Sequence, residues 1–172
     1  MADEKNYRSL YWLALMGRHR DPENSVKLLQ QAREWALEAG DDRATLEITH
    51  WLLQTLIFKT RDIAAAYPLA VEIAVEARKP QYEDMREHIC VYQDLILTYL
   101  DNDPLGHEAL IEEAVDYMQG EVGDQKIQCR LCLQGLRCDF EVARGNYEQA
   151  IEETRRVMAM AEGDVSQHHH QT

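Results

Sequence analysis

The sequence predicts an all-α protein, a solenoid of about four antiparallel helix hairpins. Three observations predict it. One phrase recurs four times, helical periodicity runs almost from end to end, and turn residues punctuate it at the places where hairpins should close. The phrases are Ser25 to Asp41, Ala65 to Lys79, Glu108 to Asp124 and Asn146 to Asp164. Stacking them aligns Ala32, Ala70, Ala114 and Thr154, at separations of 38, 44 and 40 residues. Leu28, Ala66, Leu110 and Ala150 lie four residues earlier, and Ala36, Ala74, Met118 and Met158 four later. Trp35, Ile73, Tyr117 and Val157 lie three later. A fixed period of this length marks units that cannot bury their apolar faces alone and must stack. Small residues in the stripe let helix backbones approach, with larger ones flanking them.

The periodicity predicts helices over 5–18, 24–39, 42–60, 63–78, 81–100, 105–119, 124–144 and 146–162, and no alternating β-branched run suggests a strand. Each phrase is the second helix of its hairpin. Gly40, Gly120, Gly123 and Gly163 sit where helices should stop, because glycine takes the left-handed cap conformation cheaply. Asp41, Asp124 and Asp164 follow as N-cap candidates. Pro22 and Pro104 fall in the turns of the first and third hairpins, and Pro80 separates the second from the third. Pro68 falls inside the fourth helix and should kink it or move its start to Tyr67.

The 172 residues are enough for one core, and 45% hydrophobic content suits a folded chain. A net charge of −13 argues against nucleic acid and anionic membranes and is compatible with basic partners. No stretch approaches the roughly 18 apolar residues of a membrane span. The start, MADEKNYR, lacks an apolar signal core. The four cysteines then read as reduced thiols of a cytoplasmic protein.

These residues resemble the tetratricopeptide-repeat (TPR) family. The fourth unit carries the clearest match. Ala143, Gly145, Tyr147 and Ala150 resemble the family's small–x–Gly–x–Tyr–x–x–Ala signature across the hairpin turn. The first unit, LLQQAREWALEAGD, resembles the second helix of the longer variant, roughly 40 residues per repeat, of bacterial regulatory proteins. Trp12, sixteen residues before Leu28, resembles the family's first-helix tryptophan. The second and third units lack the Gly–x–Tyr turn. The resemblance implies a right-handed superhelix that binds a peptide or protein partner, with no catalytic residues and no cofactor.

The repeat domain is expected over 1–164, with 165–172 as the start of a further repeat or a tail. Gly163-Asp164 stands where Gly40-Asp41 stands before a new hairpin. A solenoid normally ends on a helix with a polar outer face. The last helix instead carries Val157, Met158, Met160 and Ala161, so either the natural chain continues or this end is covered in a homo-oligomer. His168, His169 and His170 could also be a tag fragment.

Several residue groups could carry chemistry. Cys129, Cys132 and Cys138 read C-x2-C-x5-C, but at about 100° per residue Cys138 lies opposite Cys129, and one straight helix cannot converge all three on a metal. Buried core thiols are the plainer reading. Glu47-Ile-Thr-His50 is a single Glu-x-x-His, whereas a di-iron bundle needs two. Phosphate loops, G-x-S-x-G and H-E-x-x-H are absent from the sequence. Glu112, Glu113, Asp116, Glu152 and Glu153 read as solvated faces. Lys126, Arg130, Arg137 and Arg144, spaced 4, 7 and 7, share one face of the seventh helix. They either pair with Glu112, Asp116 or Glu141 or bind an acidic peptide, a carboxylate terminus or another anion, which guanidinium forks suit.

The expected function is a non-catalytic, protein- or peptide-binding module, acting as a scaffold or as the recognition part of a regulatory protein. The groove would be lined chiefly by the first helix of each hairpin, with His50, Gln54, His88, Gln93 and Gln134 as candidates. Two alternatives are the N-terminal sensory domain of a longer signalling enzyme and a freestanding acidic chaperone for a secreted client.

Overall fold

Aspartates start three of the helices. Asp21, Asp41 and Asp62 each accept, through Oδ1, the backbone N–H of the residue three further on, at 3.0 Å. Each thereby satisfies one of the donors that a helix start leaves over. The computed structural model describes the backbone of residues 6–122 and 127–169, and side chains within those ranges except at 127, 128 and 162–169. The described residues form eight α-helices and no strand. They are α1 (Tyr7–Gly17), α2 (Pro22–Glu38), α3 (Asp42–Thr55), α4 (Ile63–Ala77), α5 (Glu87–Asn102), α6 (Glu108–Glu121), α7 (Ile127–Ala143) and α8 (Tyr147–His169). A π-turn, Leu56–Thr60, extends α3 and ends at Arg61 in the left-handed region (φ 57°).

The glycine stops divide into two classes. Gly40 (φ 68°) and Gly145 (φ 76°) close α2 and α7 with the same pair of hydrogen bonds. Gly40 N–H reaches the Leu37 carbonyl and Asp41 N–H the Ala36 carbonyl, each at 3.0 Å. Gly145 N–H reaches Val142 and Asn146 N–H reaches Glu141 in the same way. This is the Schellman closure, and it needs the left-handed residue that glycine supplies. Gly120 instead lies within α6, and α8 runs through Gly163 and Asp164 to His169. The expected break at Gly163 is therefore absent, and 165–169 continue the last helix. A lone glycine costs a helix about 1 kcal/mol, which good helix formers on either side can offset. Gly123, Asp124 and Lys126 lie outside the described residues, as do 170–172.

Two other boundaries differ from expectation. Pro80–Tyr82 forms a separate 3-10 turn, so α5 begins at Glu87 rather than 81. Pro68 does not move the start of α4, because the Asp62 cap sets it at Ile63 and Pro68 is solvent-exposed within the helix. Pro22 occupies the first turn of α2, where its missing N–H costs nothing.

The chain forms two compact units, Met1–Thr98 and Tyr99–Thr172, the boundary falling within α5. In the first unit α1 and α2 form a hairpin, and Gly17 allows the close approach: a Cβ there would lie 3.3 Å from Ser25 Oγ. Tyr11 Oη donates to Glu47 Oε1 at 2.6 Å, tying α1 to α3. His50 and Asp94 tie α3 to α5, and Arg33 Nη2 donates to Glu72 at 2.9 Å between α2 and α4. In the first unit α1 thus contacts α3, α3 contacts α5, and α2 contacts both α3 and α4. Helix α3 is buried almost all round, with Leu46, Ile48, Thr49, His50, Leu52 and Leu53 inside. In the second unit, α7 and α8 form a hairpin, and Ile111, Met118, Leu136 and Phe140 supply the core.

Two rows of the repeated stripe are buried in three of their four copies. Ala32, Ala70 and Ala114 are inside, as are Ala36, Ala74 and Met118. Thr154 and Met158, at the same positions of the fourth, are exposed.

Asp41 does two jobs, capping α3 and accepting the Tyr7 hydroxyl at 2.5 Å. The Tyr7 bond, then the Ala44 N–H, hold its carboxyl below the usual carboxylate range. A lowered native value means that the contribution is complete above the unfolded pKa and is lost as pH falls through the native one. Asp41→Ala is expected to cost about 1 kcal/mol near pH 7. In urea titrations its deficit against wild type should narrow once the pH drops below about 4. A deficit that stays constant into acid would refute the assignment.

Candidate binding cleft

Three stretches of the first unit meet around a cleft of about 620 Å³. Helix α1 contributes Tyr7, Arg8, Tyr11 and Trp12, the start of α3 contributes Arg43 and Glu47, and Asp84 to Arg86, with Glu87 at the start of α5, close it. The helical period places Tyr7, Arg8, Tyr11 and Trp12 on one side of α1, at spacings of three and four. Burial, then the bond to Glu47, raises the Tyr11 hydroxyl well above the usual phenol range, so it is a neutral donor at physiological pH. Arg43 grips Asp84 with both guanidinium nitrogens, at 2.8 and 2.9 Å, and reaches the Gln81 carbonyl at 3.0 Å. That fork holds Asp84 below the usual carboxylate range. Arg86 stands 3.6 Å from Glu87.

Several cleft residues face water, Arg43, Asp84 and Arg86 among them. The Arg8 side chain is 76% exposed and only 3.8 Å from Asp41, a loose pairing. Trp12 is 62% exposed, so in this chain the tryptophan that resembles the family's first-helix residue is a surface group. Its ring lies 5.5 Å from that of Tyr11. An exposed indole beside guanidiniums and carboxylates can stack on an apolar or aromatic side chain and hydrogen-bond a peptide.

The first-helix candidates from the sequence lie elsewhere. His50 (5% exposed) and His88 (2% exposed) are buried, so neither side chain lines an open surface. His50 is deeper than the partly exposed position its place on the first helix suggests. Its Nδ1 lies 2.7 Å from Asp94 Oδ2, and Gln54 donates its amide to Asp94 Oδ1. The structure thus brings His50 and Gln54 together on a carboxylate of zero exposure. Gln93 is half-buried on α5. Gln134, in the second unit, donates to the buried Glu153, which Arg156 also holds at 3.0 Å.

The basic stripe is divided. Lys126 lies outside the described residues, and Arg130 is exposed. Arg137 donates to Gln119. Arg144 pairs with Glu108 at 2.8 Å, Glu112 at 3.4 Å and Glu141 at 3.6 Å, and lies over the Phe140 ring. Three carboxylates on one guanidinium leave it little capacity for an anionic ligand. None of the four cysteines is in a disulfide, and Cys138 Sγ lies 3.1 Å from Thr154 Oγ1. Among the described residues no three metal-ligating side chains converge, and no helix is long and apolar enough to cross a membrane.

The sequence carries little signal for the cleft. Arg8, Arg43 and Arg86 are far apart in the chain and belong to no shared periodicity. Only the Tyr7–Tyr11 spacing on α1 points toward it. No protein-family model matches this chain, and no curated protein or solved structure matches it significantly.

Proposed function

We propose that the chain is a non-catalytic recognition module of TPR-like design, a right-handed solenoid of hairpins that binds a protein or peptide segment. In this reading it serves in the cytoplasm as a scaffold or as the recognition part of a regulatory protein. The observation that supports it is the cleft on α1, α3 and the approach to α5. There an exposed Trp12 and an exposed Arg8 stand over hydrogen-bonded side chains that are already held in place. Trp and Arg are the residue types that most often dominate binding at interfaces, and preorganised surroundings lower the ordering cost.

A displayed random-peptide library is the probe, panned on the full chain. Enriched peptides should bind at least tenfold more weakly to the double variant Trp12→Ala, Arg8→Ala, since interface Trp and Arg anchors contribute about 2 kcal/mol or more. The melting temperature should barely move, because both side chains are exposed. No enrichment on wild type, or binding indifferent to the double variant, refutes the reading.

A further inference from the structure

Helix α8 exposes an apolar stripe on the second unit. At about 100° per residue, Tyr147, Ile151 and Met158 fall within a band about 40° wide. They are 66%, 53% and 58% exposed, while Ala150 and Glu153, on the side toward α7, are buried. The corresponding residues of other repeats are covered more fully: Leu29 and Ile111 align with Ile151 and are inside while Tyr67 is half-buried, and Ala36, Ala74 and Met118 align with Met158 and are inside. The fourth copy thus exposes positions that the other three cover wholly or in part. Exposed apolar surface of this kind, rimmed by charge, marks an interaction site.

The rim identifies the occupant. Glu148 and Arg155 lie seven residues apart on the same flank of the stripe, and both are exposed. Neither has an ion pair among the described residues, whereas the neighbouring Arg156 is held by Glu152 and Glu153. We propose that α8 packs antiparallel against α8 of a second copy of this chain. A two-fold axis beside Ile151 and Glu152 brings the same flank of both helices together in reverse order. Glu148 then meets Arg155 of the partner subunit, and the contact occurs twice. Parallel pairing about an axis along the helices would carry this flank to opposite sides of the seam, so Glu148 and Arg155 would not meet and neither charge would be answered. Tyr147, Ile151 and Met158 fill the seam between the charged flanks.

Sedimentation velocity on the full chain over a concentration series tests this. The net charge of −13 opposes self-association, so the runs use near-physiological salt, where the screening length is about 8 Å. Wild type should reach twice the monomer mass as concentration rises. Glu148→Arg and Arg155→Glu should each weaken association about tenfold, since symmetry turns two attractions into two repulsions. The double variant Glu148→Arg, Arg155→Glu should return it to near the wild-type value. Ile151→Glu should be monomeric with unchanged helicity by circular dichroism; if it loses helicity, the charge swaps alone decide. A wild type that stays monomeric overturns the proposal. So does a double swap no better than the singles, which is what a head-to-tail contact between unlike faces would give.

Discussion

Asp94→Ala should destabilise the protein by about 3 kcal/mol or more. The carboxylate has no solvent exposure, and it receives His50 Nδ1 at 2.7 Å and the Gln54 amide on its two oxygens. Alanine removes both acceptors at once. His50 remains buried with its Nδ1 partner gone, and a stranded buried polar group costs about 1–3 kcal/mol on its own. Asp94→Asn should cost clearly less. An amide keeps the shape and one oxygen for Gln54, and its N–H can donate to Nδ1 of the other His50 tautomer. Urea unfolding followed by circular dichroism gives the comparison. If the alanine variant unfolds at the wild-type midpoint, the His50–Asp94–Gln54 knot does not hold α3 to α5.

Leu53→Ala should lower stability by about 2–5 kcal/mol. Leu53 has zero exposure on α3, the helix whose buried residues lie on nearly every side. Burial all round leaves few neighbours free to collapse into the space, which keeps the cost toward the upper end of the range. Leu37→Ala is the control: at 48% exposure it already meets water, and the change should stay within about 1 kcal/mol. Equal midpoints for the two variants would show that α3 is not the centre of the first unit.

The all-helical character, the eight helices and most of their limits are legible in the sequence, because local rules set them. Asp41 caps α3 and Gly40 turns left-handed behind α2, both through partners within one or two turns of the chain. Buried Ala32, Ala70 and Ala114 follow from the small-residue stripe, since a helix face that must approach another backbone leaves no room for more. Where a local rule is permissive, context decided. Gly145 closes α7, but Gly163 lies within α8, because glycine permits a left-handed cap without requiring one. Pro68 sits inside α4 for a similar reason: the cap at Asp62 had already set the start.

The sites depended on the tertiary structure. Arg8, Arg43 and Arg86 form one rim only after α1, α3 and the approach to α5 come together, and no spacing in the chain encodes that. His50 and His88 carry polar side chains at helical positions that read as accessible, yet the fold encloses both. Asp94, absent from any motif, becomes a buried anchor through partners forty and forty-four residues away. Periodicity tells which residues share a helix face, because neighbouring turns determine it. Which face meets which depends on contacts between residues distant in the chain, and those alone decide what this surface holds together and what it leaves open.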